Sequence, residues 1–251
     1  MKAQITWVRQ ATSTNSLMAA DAPALSHGAA IATLNQTAGR GQRGNFWEAA
    51  PGLNITLSLL LRPESLEPAR QFAISQIVAL ATAITAADCL PEALRHRVTV
   101  KWPNDIYFDD RKLAGILIEN SLTGSRIDRS IAGIGLNVNQ PRFLSNAPNP
   151  VSLRQITGRE FDISALADRL CENILSLYDR YSSPTAHQAL HDLYMSRLWR
   201  RTGLHPYRDI ASGRTFNASV SAIGPMGHLT LREPSGLETV YAFKEVAAII
   251  D

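Results

Sequence analysis

The residues best suited to chemistry begin in a loop that combines glycine with arginine. Residues 39–44 read Gly-Arg-Gly-Gln-Arg-Gly, and Trp47 follows three positions later. Glycine lets the backbone approach a ligand closely, and an arginine can bind a carboxylate or phosphate through two parallel hydrogen bonds. The indole of Trp47 could cover a base or a ribose. The stretch predicts a flexible anion-binding loop, with an ordinary solvated surface loop as the alternative.

This loop also matches the pattern G-x-G-x-x-G, but its surroundings exclude two nucleotide-binding folds. A dinucleotide-binding fold needs a helix that opens at the third glycine, whereas here Pro51-Gly52 and a strand follow within a few residues. A protein-kinase loop lies between two strands, as here, but the V-A-I-K, H-R-D and D-F-G motifs are absent. There is also no G-x-x-x-x-G-K-[ST] phosphate loop.

A second candidate is a lysine on a predicted strand. Residues 112–120 read as a strand after the turn Asp109-Asp110. Strict alternation would place Lys112 on one face with Ala114, Ile116 and Ile118, and would point Gly115 to the opposite face. A lysine on an apolar face is costly to bury unless it meets an anion. Lys112 is therefore a candidate ligand contact, although near a turn it could instead extend into water.

The segment Lys101-Trp102-Pro103-Asn104-Asp105 gathers a lysine, an amide and a carboxylate where a strand ends. Proline removes a backbone donor and interrupts strand pairing. The cluster is either a polar site or a charged strand–turn junction in which Asp105 pairs with a nearby cation.

A third strand, residues 131–139, has two dissimilar faces. One carries Ile134, Leu136 and Val138, and the other carries Gly133, Gly135, Asn137 and Asn139. The second face is cleared of side chains and then lined by amides, which can read the donor and acceptor edge of a base. Close packing against a helix is the alternative explanation.

The remaining pattern predicts an α+β body that positions these segments. Helices are expected over 13–25, 67–88, 163–181 and 184–199, and strands over 28–34, 53–61, 97–102, 105–109, 112–120 and 126–139. From about residue 205 short strands alternate with turns such as Gly224-Pro225-Met226-Gly227. We therefore expect a main domain over 1–203 and a small β-barrel over 204–251.

Composition narrows the class of protein. Of the 251 residues 45% are hydrophobic and 19% charged, as in globular proteins. Residues 1–15 lack the apolar core of a signal peptide, and the sequence contains no run of about eighteen apolar residues. The pI of about 9.0 is not accompanied by a run of basic residues, so charge alone does not indicate nucleic-acid binding. Cys89 and Cys171 predict buried reduced thiols and a cytoplasmic setting without a membrane segment.

Taken together, these motifs resemble the biotin protein ligase family. The resemblance rests on five stretches in the order and spacing of that family, within residues 10–140. They are Ser13-Thr14-Asn15; Gln36 with residues 39–44 and Trp47; Lys101 to Asp105; Arg111 to Glu119; and Gly133-Ile134-Gly135-Leu136-Asn137. The family resemblance implies a mixed sheet flanked by helices, related to class II aminoacyl-tRNA synthetases, with a small C-terminal SH3-like barrel.

The resemblance also implies the activity. Biotin would react with Mg²⁺-ATP to give biotinyl-AMP, and a lysine of a biotin carboxyl carrier protein domain would then accept the biotinyl group. The magnesium ligands stay unknown, because in this family the ion is held largely through the ATP phosphates. A homodimer through an exposed sheet edge is a further possibility.

Residue roles follow by position in the motifs. The resemblance implies that the biotin site is formed by Ser13, Thr14, Asn15, Gln36, Arg40, Gly41, Gln42, Lys112, Gly115 and Ile116. It implies that the adenylate meets Arg43, Trp47, Lys112 and Asn137. Lys112, Arg40 and Asp105 are the implied catalytic residues, with Asp105 orienting or deprotonating the acceptor lysine.

Two features depart from relatives. Gln42 stands where many members have arginine, so the loop has one cation fewer. The Ser-Thr-Asn motif begins at residue 13, which leaves no room for the DNA-binding domain of some members, and we expect a monofunctional ligase without specific DNA binding. The alternatives are a lipoate or octanoate protein ligase and a non-catalytic regulator that binds nucleic acid.

Overall fold

The computed structural model describes residues 4–41, 46–64, 66–145 and 149–250. Seven strands form the main sheet, with the bounds β1 Ile5–Val8, β2 Ala30–Thr33, β3 Ile55–Leu61, β4 Val98–Lys101, β5 Asp105–Phe108, β6 Arg111–Thr123 and β7 Arg126–Leu136. Their order is β1-β2-β3-β7-β6-β5-β4. β1 and β2 are parallel and the other neighbours are antiparallel, so the sheet is mixed, as the family resemblance implied.

In the described residues six α-helices accompany the sheet: α1 Thr14–Asp21, α2 Phe72–Asp88, α3 Glu92–Arg95, α4 Leu153–Thr157, α5 Ile163–Tyr181 and α6 His187–Ser196. Asp162 precedes α5 and caps it, because its side chain accepts from the backbone N–H groups of Ser164 and Ala165. Its apolar residues recur at helical spacing and face the core, while its other side is polar. α2, α5 and α6 pack together on one face of the sheet.

The segment Pro68–Asp88, which contains α2, would be long and apolar enough to cross a membrane by length and composition alone. However, 78% of its most apolar window is buried inside the protein. Because α2 lies between the sheet and two other helices, nearly every side of it is apolar.

The opposite face of the sheet is covered only in part. α1 packs there against β2, β3 and β7, and Met18 joins Ile31, Leu60 and Ile131 in a second small core. The side chains of β3 alternate between the two cores: Leu57 and Leu59 face the large one, and Leu60 faces the small one. Ser58 shares the side of Leu60, and its hydroxyl bonds to Thr14 and Asn15 at the start of α1. The rest of this face is left for the site described below.

A separate five-stranded antiparallel sheet ends the chain. It consists of β8 His205–Asp209, β9 Thr215–Ile223, β10 Leu229–Arg232, β11 Glu238–Tyr241 and β12 Val246–Ala248, in the order β11-β10-β9-β8-β12. This arrangement agrees with the expected C-terminal SH3-like unit. Its buried residues, such as Tyr207 and Leu229, are continuous with the large core.

The two sheets are joined beside the Lys101–Asp105 segment. Trp102 Nε1 donates to the carbonyl of Gly227 at 2.8 Å, and the ring centroids of Trp102 and Phe243 lie 5.4 Å apart. Gly227 has φ +88°, and a Cβ there would lie 2.6 Å from Phe72 Cδ2 and 2.7 Å from Phe243 Cζ. Only glycine combines this conformation with so close an approach, so the joint fixes the second sheet beside the Lys101–Asp105 segment and the start of α2.

Candidate active site

A cavity of about 610 Å³ lies on the partly covered face of the main sheet and is bordered by residues of the C-terminal sheet. It is lined by most of the residues that the motifs single out: Ser13, Thr14, Asn15, Gln36, Arg40, Gly41, Trp47, Asp105, Lys112, Gly115 and Ile116. These residues are separated by up to about one hundred positions in sequence and meet because β6 and β7 lie side by side next to α1. The fold thus gathers the motifs into one site.

A polar wall forms one part of the cavity at the start of α1. Gln36 Oε1 accepts from the backbone N–H of Thr14 at 2.9 Å, which fixes the orientation of the Gln36 amide. Ser58 Oγ lies 2.6 Å from Asn15 Oδ1 and 2.8 Å from Thr14 Oγ1. Ser13, Thr14 and Asn15 are buried, yet they line the cavity. The wall offers several fixed donors and acceptors within a small area.

Glycines in β6 and β7 make room for the groups above them. A Cβ at Gly133 would lie 2.8 Å from Asn15 Cγ. A Cβ at Gly135 would lie 2.7 Å from Trp47 Cζ2, and one at Gly115 would lie 2.9 Å from Trp47 Cζ3. Carbon atoms at such separations overlap, since their optimal distance is about 3.5–4.0 Å. The Asn15 amide and the Trp47 indole therefore lie directly against the glycine face of residues 131–139.

Lys112 stands at the other part of the cavity. Its Nζ lies 2.7 Å from Asp105 Oδ2 and 5.8 Å from the centroid of the Trp47 ring. Asp105 opens β5 and is paired across the ladder with Lys101. Both side chains of the Lys112–Asp105 pair are only about a quarter to a third exposed, at 30% and 25%. A cation and a carboxylate are thus held together on the cavity wall.

The prediction of which strand face carries Lys112 was wrong. Ile106 pairs with Ala114 but Tyr107 pairs with Lys112, so Leu113 is an extra residue, a β-bulge. The bulge breaks strict alternation. Ala114 and Ile116 face the core, whereas Lys112 lies on the side of Gly115, its Cε 3.3 Å from the position of a Gly115 Cβ. The bulge is what turns the lysine away from the apolar face and into the cavity.

Lys101 brings a second amine to the same wall. Its Nζ lies 5.2 Å from the centroid of the Tyr107 ring and 5.9 Å from that of Trp199. Burial lowers the pKa of Lys101, and nearby Lys112 lowers it too, while Asp105 acts in the opposite direction. An anion in the cavity would act on this pKa in the same direction as Asp105 and raise it.

The glycine–arginine loop is described in part. Arg40 and Gly41 line the cavity, and Arg40 Nη2 lies 3.4 Å from the carboxylate of Glu119, with both side chains well exposed. Gln42 and Arg43, which the motif assigns to biotin and to the adenylate, lie outside the described residues. Their roles stay predictions.

Asn137 is placed differently from the other motif residues. It is buried and is not among the residues lining the cavity. Its Nδ2 donates to the carbonyls of Val151 at 3.1 Å and Lys112 at 3.4 Å, so it holds the start of β6 against the segment before α4. Its Oδ1 has no hydrogen-bond partner in the described part of the chain. A contact with the adenosine stays a prediction.

One wall of the cavity was missed by the sequence reading. Lys244 and apolar residues of the C-terminal sheet line it: Tyr207, Ile210, Val220, Leu229, Val246, Ala247 and Ala248. The sequence of these strands contains only ordinary alternation and turns, so no local signal could have identified them. Ser58 and Glu119, which touch Asn15, were also not assigned.

Within residues 4–41, 46–64, 66–145 and 149–250, no three His, Cys, Asp or Glu side chains are grouped so that they could hold a metal ion.

Comparison with known proteins places this site in a family. The family model "Biotin/lipoate A/B protein ligase family" matches residues 7–137. The bifunctional ligase/repressor BirA of Bacillus spizizenii is 29% identical over 224 residues, and the match covers 86% of this chain but 65% of the relative. The biotin–[acetyl-CoA-carboxylase] ligase of Paracoccus denitrificans is 36% identical over 169 residues, 63% of this chain and 66% of the relative.

Solved structures show the same fold. The biotin protein ligase of Aquifex aeolicus in complex with biotin and ATP superposes with a TM-score of 0.76 at 21% identity and covers 99% of both chains. The biotin protein ligase of Leishmania major in complex with biotin has a TM-score of 0.66 at 23% identity, with 96% of this chain and 98% of that one covered. Since the family model matches more than half of the sequence and the site motifs meet in one cavity, the chain belongs to the biotin/lipoate A/B protein ligase family.

Proposed function

We propose that this chain uses ATP to activate biotin as biotinyl-AMP and transfers the biotinyl group to a lysine of a biotin carboxyl carrier protein domain. The observation that carries this proposal is a single cavity with hydrogen-bonding side chains on one side and a lysine on the other. Asn15 lies over Gly133 and Trp47 over Gly135, two residues apart on β7 and thus roughly 7 Å along the strand. We expect the polar ring of biotin to lie on the Asn15 side of the cavity and its carboxylate to lie on the Lys112 side.

In the first step a biotin carboxylate oxygen attacks the α-phosphorus of ATP. The new O–P bond forms, the bond to the bridging oxygen breaks, and pyrophosphate leaves with the electron pair. Two anions must approach one another, so the step needs fixed positive charge at their junction. Lys112 supplies it from the cavity wall, with Arg40 reaching in from the loop.

In the second step the amine of the carrier lysine attacks the acyl carbon of the mixed anhydride. A C–N bond forms, the C–O bond to the phosphate breaks, AMP leaves and one proton is lost from the amine. Asp105 is the candidate for orienting this amine, because its carboxylate lies on the cavity wall beside Lys112.

Magnesium would enter with the nucleotide and neutralise phosphate charge. We assign it no protein ligands. Trp47 provides the surface for the adenosine: its ring lies flat on two glycines, and its Nε1 is buried without a hydrogen-bond partner among the described residues.

The main rival within the family is a lipoate or octanoate ligase. The ring of lipoate and the chain of octanoate carry no N–H or carbonyl, and would leave unused the donors and acceptors that Thr14, Asn15 and Gln36 retain beyond the bonds within the wall, at a cost. The polar wall therefore favours the ureido ring of biotin. The absence of specific DNA binding stays a prediction.

The test is to incubate the purified protein with Mg²⁺-ATP and biotin, lipoate or octanoate, without carrier, and to detect the acyl-adenylate and pyrophosphate by mass spectrometry. We expect biotinyl-AMP and no adenylate of the other acids. An adenylate of lipoate or octanoate alone would move the function to that branch of the family, and none with any acid would refute the proposed activity.

A further inference from the structure

Glu119 makes a short side-chain contact to the polar wall. Its Oε2 accepts a hydrogen bond from Asn15 Nδ2 at 2.6 Å, and the carbonyl of Leu117 accepts from the same Nδ2 at 3.3 Å. Asn15 is only 3% exposed, whereas the Glu119 side chain is 40% exposed, so the bond runs from a buried amide to a partly exposed carboxylate. Glu119 itself reaches the site from β6, 104 positions away in sequence.

This contact decides the polarity of the Asn15 amide. A carboxylate can only accept hydrogen bonds, so the amide must turn its NH₂ group toward Glu119. Its Oδ1 is then turned toward Ser58 Oγ, 2.6 Å away on β3. Reversing the amide would bring Oδ1 against the carboxylate and would leave the NH₂ donors without Glu119. β7 leaves room for the Asn15 amide, because Gly133 beneath it has no side chain.

We propose that Glu119 is a positioning residue that sets substrate specificity by fixing the Asn15 amide as an acceptor in the polar wall. A fixed acceptor beside Thr14 and Gln36 suits a ring that carries N–H donors as well as a carbonyl. The inference rests on the proposed function and deepens it: Glu119 would act through Asn15 to favour a ureido ring over rings without N–H groups.

A second contact of Glu119 must be separated from this role. Its carboxylate also pairs with Arg40 at 3.4 Å, but the two side chains are 48% and 40% exposed. Exposed ion pairs contribute little. Glu119→Gln keeps a carbonyl oxygen for Asn15 Nδ2 while it removes the charge opposite Arg40. Glu119→Ala and the bulkier Glu119→Met remove both interactions.

The experiment measures biotin binding by titration calorimetry in folded proteins. We expect Glu119→Ala and Glu119→Met to weaken biotin binding about tenfold, the effect of one charge-assisted hydrogen bond. Glu119→Gln should stay within about threefold of the parent, since the acceptor remains. Glu160→Ala is the matched control, a carboxylate paired with Arg154 away from the cavity, and should bind biotin as the parent does.

The decisive comparison is a double-mutant cycle with Asn15→Ala. If Glu119 acts through Asn15, then Glu119→Ala should weaken binding no further in the Asn15→Ala background. Additive losses, or an unchanged affinity in both Glu119→Ala and Glu119→Met, would overturn the inference. A parent protein that binds no biotin would instead refute the proposed function, so the two failures are distinguishable.

Discussion

Substitution of Gly135 by alanine tests whether stability and ATP binding depend on the close packing of the Trp47 indole against β7. The added Cβ would lie 2.7 Å from Trp47 Cζ2, about 1 Å inside the optimal separation of two carbons. Either the strand or the indole must move. Gly135 is held between Thr56 of β3 and Gly115 of β6, whereas Trp47 lies on the segment before β3. We therefore expect the indole to be displaced.

The structure sets the size of the effect. A fully buried tryptophan removes roughly 200 Å² from water, and Trp47 is half-buried, so its displacement exposes about 100 Å². At ~25 cal/mol per Å² this costs at most about 2.5 kcal/mol. Displacing β7 would instead disturb hydrogen bonds to both neighbours, at about 1 kcal/mol each. The variant should lose about 1–2 kcal/mol in the free energy of unfolding and remain folded.

The assay combines urea unfolding with acrylamide quenching of tryptophan fluorescence and biotin-dependent ATP–pyrophosphate exchange. We expect increased quenching that disappears in a Trp47→Phe background, and a KM for ATP raised about tenfold, corresponding to ~1.4 kcal/mol. Gly224→Ala is the control, because its Cβ would meet only one atom, at 3.9 Å. A folded Gly135→Ala protein with unchanged quenching and unchanged exchange would refute the reasoning.

Three further predictions concern single side chains. Lys112→Met should lower the rate of adenylate formation at least about a hundredfold in pyrophosphate exchange, because a cation where the two anions meet would be lost; a loss below fivefold would contradict the proposed role. Gln42→Arg should slow the release of biotinyl-AMP in a stopped-flow chase, since the loop gains a cation, and an unchanged rate would count against it. Burial lowers the pKa of His27 below its ordinary 6.5 against the opposing effect of Asp179, and its Nδ1 accepts from the backbone N–H of Arg62. The unfolded state then binds more protons than the folded state, so this contribution to stability is present above about pH 6.5 and is lost as pH falls. The substitution His27→Gln should therefore flatten the dependence of the unfolding free energy on pH between 7 and 5. An equal slope in the variant and the parent protein would exclude His27 as the cause.

Local pattern determined much of the architecture. The helical spacing of residues 163–181 matches α5, and the capping residue Asp162 fixes its start. The glycines at 133 and 135 marked the face against which Asn15 and Trp47 lie. These features depend on residues close together in the chain, so they could be predicted from the sequence alone. The short strand β1 was missed, because four residues carry too little periodicity.

The tertiary structure decided the orientation of the site. The bulge at Leu113 turns Lys112 into the cavity, and it depends on how β5 pairs with β6 rather than on the composition of either strand. Glu119 meets Asn15 across 104 positions, and Ser58 meets it across 43. The apolar wall from the C-terminal sheet is set by a joint between Trp102 and Gly227, 125 positions apart. Residue types and short spacings named most of the groups in the site, but which atoms face one another follows from strand register and sheet packing, which join residues that are remote along the chain.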